Sequence, residues 1–428
     1  MRALERSPAW AVDRQNQAVD VDRAAAGAVQ DPADIAAGAA ALVPVLSDGV
    51  VTLRALRESD LGTGAPGEHS VLAQARDPEM TGWTTVPTPY TERDARFFLG
   101  LHGQGWLSGG NRGWAVADAA TDDFLGSLDL RPRSDDAADL GFGLGSWATG
   151  RGVMTRAVLL ALGWAFDPAG LAVRTVGWQA NVGNWRSRRV AWRCGFRGFE
   201  TVRDLCEQRG RSVDGWIATV RAAEVGVPAG PWLVVPTLPV TARDGSAWEL
   251  RAWRNDDAEV EAVRQACSDP LTQLWLTDLD TPYTAESARR FLTAATARAA
   301  SGDAVSWALA PAAGGAAVAS VSLFGLTRPY GSPELGWWAH PSIRGRGLVS
   351  GAVRAAVGWA TAPGPAGLDR HRLLVSAAAG NTSSLAVARA AGFTEFGRGH
   401  LEDVQPDGTY ADGVYLEYLR PGLRATGS

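Results

Sequence analysis

Lysine is absent from the 428 residues, so each of the 41 basic side chains is an arginine. Long apolar runs are absent as well: nothing approaches the roughly 18 residues that a membrane-crossing helix needs. Cysteine is scarce, and Cys194, Cys206 and Cys267 show neither disulfide nor metal spacing. That excludes a disulfide framework and fits reduced, buried thiols in a cytoplasm. The five histidines lack ligand spacing too, so no metal site is expected. Positive charge is in deficit, with a net charge of −5. A nucleic-acid partner needs a basic surface from which to release counterions and is therefore excluded, whereas a cationic partner is suited. Residues 1–44 carry Asp13, Arg14, Asp20 and Asp22 where an export signal would place its apolar segment. They are expected as a mobile or partly helical extension.

What is present is a globular composition, 46% hydrophobic and 20% charged, in a chain long enough for two or three domains. The stretch ELGWWAHPSIRGRGLVS at 334–350 organises the rest. A short strand breaks at His340 and Pro341 and enters Arg344-Gly345-Arg346-Gly347. Leu348, Val349, Ala352, Val353, Ala356 and Val357 then recur at helical spacing. A glycine-rich turn feeding a helix leaves backbone N–H groups unpaired and aligned with the positive end of the helix dipole, which suits a phosphate. No lysine follows the second glycine, so the turn is not a nucleoside-triphosphate loop. It is no dinucleotide fingerprint either, for want of G-x-G-x-x-G after a strand. Taken alone, such a turn also fits many surface turns before helices.

An internal repeat supports the functional reading. Residues 139–158, DLGFGLGSWATGRGVMTRAV, repeat 334–353 with Gly150 and Gly152 on Gly345 and Gly347. Pro89-Tyr90-Thr91 repeats as Pro282-Tyr283-Thr284, Trp114 as Trp307, Asn184 and Ser187 as Asn381 and Ser384, and Gly195-Phe196 as Gly392-Phe393. The series is collinear, so the chain holds two copies of one domain. In each, alternating strands surround the turn: 51–56, 113–118, 124–130, 139–144, 174–179 and 215–220 in the first, 248–253, 306–310, 316–323, 334–339, 372–376 and 413–419 in the second. Capping residues open a first helix at 57–60 and 254–257, and Thr91 and Thr284 cap the second. The expected layout is extension 1–44, first domain 45–222, a Pro-rich linker 223–239, second domain 240–421 and tail 422–428.

The turn resembles the acetyl-CoA pyrophosphate loop of the GNAT superfamily of N-acetyltransferases, Gln/Arg-x-x-Gly-x-Gly/Ala, with Ser342 and Trp147 at the Gln/Arg position. The resemblance implies an α/β fold of two tandem GNAT domains, each a mixed, mostly antiparallel twisted sheet flanked by helices. It implies that Arg344, Gly345, Arg346, Gly347, Leu348 and Val349, and in the first copy Gly150, Arg151, Gly152, Val153 and Met154, hold acetyl-CoA. Asn-x-x-Ser ahead of Gly-Phe is similar to the RimJ/RimL branch, which acetylates protein N-terminal amines. On that resemblance Ser187 and Ser384 are thiolate partners, and Asn184 and Asn381 bind cofactor or acceptor. The same residues also fit plain helix caps. Ala191 and Ala388 stand where other members carry an acidic tyrosine.

Glu334 and Asp139, at the start of the strand entering each loop, are the base candidates, directly or through a water, against the commoner reading of solvated strand-end carboxylates. Trp83, Trp275, Trp337 and Trp338 fall in segments that line the acceptor groove in relatives, and Tyr90 and Tyr283 are grouped with them as substrate contacts. The implied activity is acetyl transfer to a primary amine on a peptide or small molecule. A mycothiol-synthase-like or antibiotic-modifying enzyme and a non-catalytic acyl-CoA sensor or peptide-binding scaffold are the alternatives. The second copy, with the closer loop match and Glu334, is expected to do the chemistry, while bulky Trp147 either packs on the core or partly closes the first site. Oligomeric state is not legible.

The absence of lysine has two explanations, GC-rich codon use or avoidance of side-chain amines beside a reactive acyl donor. If avoidance operates, lysines introduced around the acceptor groove become acetylated on incubation with acetyl-CoA, and mass spectrometry finds them above the level of a control protein's lysines. Equal labelling leaves codon use as the explanation.

Overall fold

The computed structural model describes residues 31–327, 332–405 and 408–422, and the chain divides into two compact units between Val227 and Pro228. The first unit runs through helix α1 (Pro32–Ala39), strands β1 (Leu46–Ser47) and β2 (Val51–Arg54), and helices α2 (Val71–Arg76), α3 (Pro78–Trp83) and α4 (Glu92–Ser108). Strands β3 (Arg112–Asp118), β4 (Phe124–Ser134) and β5 (Ala137–Leu144) follow, then helix α5 (Val153–Phe166), β6 (Thr175–Asn181), α6 (Trp185–Arg193), β7 (Arg197–Gln208) and β8 (Arg211–Val220).

The second unit repeats the order with β9 (Leu238–Thr241), β10 (Ala247–Arg251), α7 (Asp257–Ser268), α8 (Pro270–Trp275) and α9 (Ala285–Ala300). It continues with β11 (Val305–Pro311), β12 (Ala319–Phe324), β13 (Glu334–Ala339), α10 (Leu348–Thr361), β14 (Arg372–Ala378), α11 (Thr382–Ala390), β15 (Thr394–Val404) and β16 (Tyr410–Leu419).

Among the described residues each unit holds one eight-stranded sheet, β1-β2-β3-β4-β5-β6-β8-β7 and β9-β10-β11-β12-β13-β14-β16-β15. Pairing is antiparallel except at β5/β6 and β13/β14. A parallel pair needs a crossover, and α5 and α10 supply it, burying Ala157, Val158, Ala161 and Leu162, or Ala352, Val353, Ala356 and Val357, against one face of the sheet. Helices α2 to α4, through Leu72, Ala95 and Leu99, cover the other face of the first sheet. This is the α/β architecture of two tandem units that the sequence implied.

The functional consequence lies in the parallel pairs. β5 meets β6 only from Ala137↔Thr175 to Leu140↔Trp178, so 141–144 remain bonded to β4 alone. β13 meets β14 at a single rung, Glu334↔Leu374. Both sheets therefore open beside the glycine loop. In the first, the Gly145 N–H reaches Leu125 O at 2.9 Å on the β4 side. Alternation then turns the N–H groups of Phe142 and Leu144 into the opening.

Several expectations change. Residues 57–60 form a 3₁₀ turn in which the buried Asp60 carboxylate is held by Arg54 at 2.8 Å and by the Arg57 N–H at 2.8 Å, and the first helix waits until Val71, capped by Ser70. Gly62, Gly64 and Gly67, all in the left-handed region, carry the chain between them. Strands β7 and β15 escape sequence patterning because their polar edge positions are interrupted by bulges.

Residues 1–30 of the expected extension lie outside the described residues, but α1 folds onto α4, and Pro44 O accepts the buried Trp114 indole N–H at 3.0 Å. Most of the expected linker is likewise part of a unit. Pro236 O accepts the Trp307 indole N–H at 2.9 Å, Leu233 N–H reaches Ala299 O at 3.0 Å, and β9 pairs with β10. Prolines there shape an edge segment that still has a core to pack on.

The approach of α1 rests on glycine: a Cβ at Gly103 would lie 2.9 Å from Ala36 Cα. Gly103→Val is expected to destabilise the first unit by about 1–3 kcal/mol, seen as a lower Tm and as protease cleavage near α1.

Candidate active site

The opening in the first sheet continues into a cleft of about 450 Å³. Its walls are α3 with Asp77, Met80 and Trp83, the free end of β5 with Phe142, Gly143 and Leu144, the loop Thr149, Gly150 and Gly152, and α6 with Asn184, Arg186, Ser187, Arg189 and Arg193. At the floor Gly150 and Gly152 have φ of 76° and 77°, values that glycine adopts without strain. Gly152 caps α5 with no side chain on the helix N-terminus. The N–H groups of the first turn, at Val153 and Met154, thus face the cleft as an anion cradle, although both side chains are buried in the core. A Cβ at either glycine would meet nothing within 4 Å, so the cradle is open. The residues fit a diphosphate.

Ser187 and Asn184 come together at the start of α6. Asn184 spends its Oδ1 on the cap, accepting from the Ser187 N–H at 3.2 Å. The Ser187 hydroxyl accepts from the Trp178 indole N–H at 3.1 Å, which leaves its own hydrogen to donate into the cleft. Trp178 was not legible as a site residue because it reads as a strand aromatic. Arg186, Arg189 and Arg193 were missed too; their i, i+3, i+7 spacing puts a basic stripe on the cleft wall. Arg186 also pairs with Glu79, with both side chains largely in solvent. Trp147 turns inward: its indole N–H reaches Phe124 O at 3.2 Å and its ring stacks on His69 at 5.0 Å. Of its two expected fates it takes the core, and the first loop stays clear.

The second unit has the same backbone and a different lining. The loop glycines Gly345 and Gly347 keep φ of 75° and 71°, with the first-turn N–H groups of Leu348 and Val349 behind them. Arg344, expected on the cofactor, instead donates to Asp269 Oδ2 at 2.5 Å, to Thr272 Oγ1 at 2.9 Å and to Ala339 O at 3.3 Å. This half-buried strap ties the loop to α8, and the guanidinium holds the Asp269 carboxyl below its ordinary range. Arg243 lies over Gly347, 2.9 Å from where a Cβ would sit, and Arg346 projects toward Asp244. Along α11, Ser383, Ala386 and Ala390 replace the three arginines of α6, and Val375 replaces Trp178. Asn381 caps the Ser384 N–H at 3.1 Å.

The remaining candidates divide. Trp83 and Trp275 lie against Gly183 and Gly380 at equivalent places, and Trp83 lines the first cleft. Trp337 packs on the second core, while Trp338, at the position of Gly143, joins Trp253 and Phe291 at ring distances of 5.9 and 6.2 Å. Tyr90 and Tyr283 are corrected: each is 8% exposed and packed under helices, and Tyr90 borders a separate hollow with Arg76, Pro87 and Thr91, not the cleft over the glycine loop. Burial raises the Tyr90 hydroxyl to about 12. Asp139 sits on the paired part of β5 opposite Gly177, 3.4 Å from Arg133, and Glu334 occupies the single rung of β13 with β14. Both lie at the far end of their strands from the loop. Cys194 is fully buried, which pushes its thiol up to about 12 and makes it inert.

A profile of the acetyltransferase (GNAT) domain matches residues 51–197 and again 248–394. The chain belongs to the GNAT family. Each GNAT match ends just beyond α6 or α11, so the strands that complete the two sheets lie outside it. The chain is 28% identical over 99 residues to the putative ribosomal N-acetyltransferase YdaF of Bacillus subtilis (strain 168), a match spanning 23% of this chain and about half, 49%, of that relative. Similar solved structures include Mycobacterium smegmatis RimJ in complex with CoA-disulfide, at 20% identity, 45% coverage of this chain, 91% of that chain and a TM-score of 0.39. Another is the Salmonella typhimurium acetyl transferase that modifies the N-terminal serine of ribosomal protein L7/L12, at 21%, 43%, 99% and 0.37.

The two GNAT loops are expected to differ in ligand binding. Gly152→Asp puts a carboxylate and a strained left-handed residue at the open cradle and is expected to abolish acetyl-CoA binding, whereas Gly347→Asp leaves it intact. Isothermal titration with one equivalent bound per parent chain, lost only in the first variant, is the result that agrees with this geometry.

Proposed function

We propose that the first unit is an acetyl-CoA-dependent N-acetyltransferase acting on a primary amine of a peptide or small molecule, and that the second unit is not the working half. The expected inequality of the copies is kept and its direction reversed. The observation that carries the reading is the open, arginine-walled cleft over a bare helix N-terminus in the first unit, set against the Arg344–Asp269 strap across the corresponding loop of the second. The family and the names of relatives support acetyl transfer to an amine. A cytoplasmic setting goes with it, and among the described residues no helix is long and apolar enough to cross a membrane.

Acetyl-CoA, when bound, supplies an activated thioester, so the protein's share is placement and charge. The N–H groups at the start of α5 hold the diphosphate, with Arg189 and Arg193 on the wall beside it. The N–H groups of Phe142 and Leu144 enter the opening, where donors fixed in advance stabilise a developing oxyanion without reorganising. Alignment of two reactants in one cleft contributes about 7–11 kcal/mol. Ser187, its oxygen already occupied by the Trp178 N–H, donates its hydrogen to the leaving sulfur.

Mass spectrometry of peptides and small amines incubated with labelled acetyl-CoA identifies the acceptor. A hydrogen bond to a charged partner is worth about 1.5–3 kcal/mol, so Ser187→Ala is expected to lower kcat roughly tenfold or more with acetyl-CoA affinity unchanged, and Ser384→Ala to leave kcat as it was. Steady-state rates decide: a loss confined to Ser384→Ala returns the chemistry to the second unit.

A further inference from the structure

The sheet face under α4 in the first unit holds a set of polar groups that the cofactor cleft does not use. Gly113, Asp129 and Gly141 stand in register across β3, β4 and β5, on the face opposite the buried Trp114, Leu128 and Leu140. His102 of α4 lies against Gly113 so closely that a Cβ there would be 2.3 Å from its Nδ1. Asp129 leans over Gly141, with Oδ1 2.6 Å from a Cβ position at that glycine. His102 is buried, and among the described residues its Nδ1, Asp129 Oδ1 and Arg131 Nε are buried with no hydrogen-bond partner. Asp129 Oδ1 and Arg131 Nε are 3.1 Å apart but misaligned, and the Asp129 side chain remains 30% exposed. Unpaired buried polar atoms are costly, and three together are unusual.

The second unit shows the same place solved without that cost. Ala295, Ser306 and Ser322 occupy the positions of His102, Gly113 and Asp129, and the two buried hydroxyls bond each other at 2.8 Å. The unit with the strapped loop is thus neutral and satisfied here, and the unit with the open cleft carries a carboxylate beside an arginine, its Oδ1 without an aligned hydrogen bond and its side chain partly exposed. Position gives that carboxylate a use. Gly141 is two residues before Gly143, which lines the cleft, and immediately before Phe142, whose N–H enters the opening. Asp129 shares that face of the sheet with Gly143, across from Gly141 and two residues along β5 from the cleft wall.

Resting on the acetyltransferase reading, we infer that Asp129 binds the acceptor's ammonium group and takes its proton, and that His102 is a positioning residue behind it. The nitrogen, freed of one proton to Asp129, forms the N–C bond as the C–S bond breaks with its electron pair on sulfur. The second nitrogen proton ends on sulfur through Ser187, and Asp129 passes its own to solvent. Arg131 Nε lies 3.1 Å from Asp129 Oδ1, and the Arg133–Asp139 pair stands further along the same face. Burial holds the His102 imidazole below its ordinary pKa against the pull of the Asp129 charge, so it stays neutral.

The test uses the full chain, acetyl-CoA, and two amine probes, ethylamine and a pentapeptide beginning Ser-Ala, with thiol release as the readout. Asp129→Asn is expected to bind acetyl-CoA as the parent does, to lose roughly 10²-fold or more in kcat, and to lose the acid limb of the pH–rate profile. Asp129→Glu recovers part of the rate, and His102→Asn moves the limb without changing acetyl-CoA affinity. Where Asp129→Asn does not fold, the combined His102→Ala, Gly113→Ser and Asp129→Ser variant, a copy of the second unit's set, takes its place. Either variant turning over within about threefold of the parent overturns this assignment and leaves the acetyltransferase reading standing. A parent that binds acetyl-CoA yet releases no thiol with either probe overturns both.

Discussion

Each unit depends on a sheet that is held together by too few rungs at its middle. A parallel pair that parts after four residues in one unit, and after one in the other, exposes backbone N–H groups that ordinary strands would satisfy. Such groups are tolerated where a ligand or water completes them. The glycine loop and the crossover helix stand at the same gap because the crossover must leave from the strand that diverges. A bare helix N-terminus and the unpaired strand N–H groups thereby come as one piece, fixed by backbone geometry.

Side chains then distinguish the two gaps. In the first unit, glycine at 143, arginines along α6 and an inward-turned Trp147 leave the gap open and electropositive. In the second, Arg344 binds Asp269 and Thr272, and Trp338 stands in place of Gly143 beside Trp253 and Phe291. An ion pair in so sheltered a place is not easily given up, since removing its partner strands a half-buried charge. At one row of the sheet the two sequences also differ, His102 and Asp129 keeping unsatisfied atoms where Ser306 and Ser322 bond each other.

Much of the fold was legible in the residues. The collinear repeat placed both units, the caps Thr91 and Thr284 marked their helices, and alternation marked the central strands. Failures occurred where the pattern is carried by something other than periodicity. β7 and β15 are edge strands with polar sequences and bulges. Prolines suggested a free linker, yet Pro236 O is the acceptor for a buried tryptophan. Tyr90 and Tyr283 sit in a motif beside the expected groove but point into the helical core.

What the sequence by itself determined is the backbone available at the loop: Gly150, Gly152, Gly345 and Gly347 can turn left-handed without strain, and a helix that starts after them leaves its first N–H groups unpaired. Those are local consequences of backbone sterics and need no distant partner. Which loop arginine is tied down, which serine accepts an indole N–H, and which polar groups share a row were decided only by tertiary structure. Arg344 and Asp269 are 75 positions apart in the chain, Trp178 and Ser187 belong to different elements, and Gly113, Asp129 and Gly141 share a row only through strand register. A side chain's availability depends on what is packed against it, and that is settled by contacts between residues that no local pattern connects.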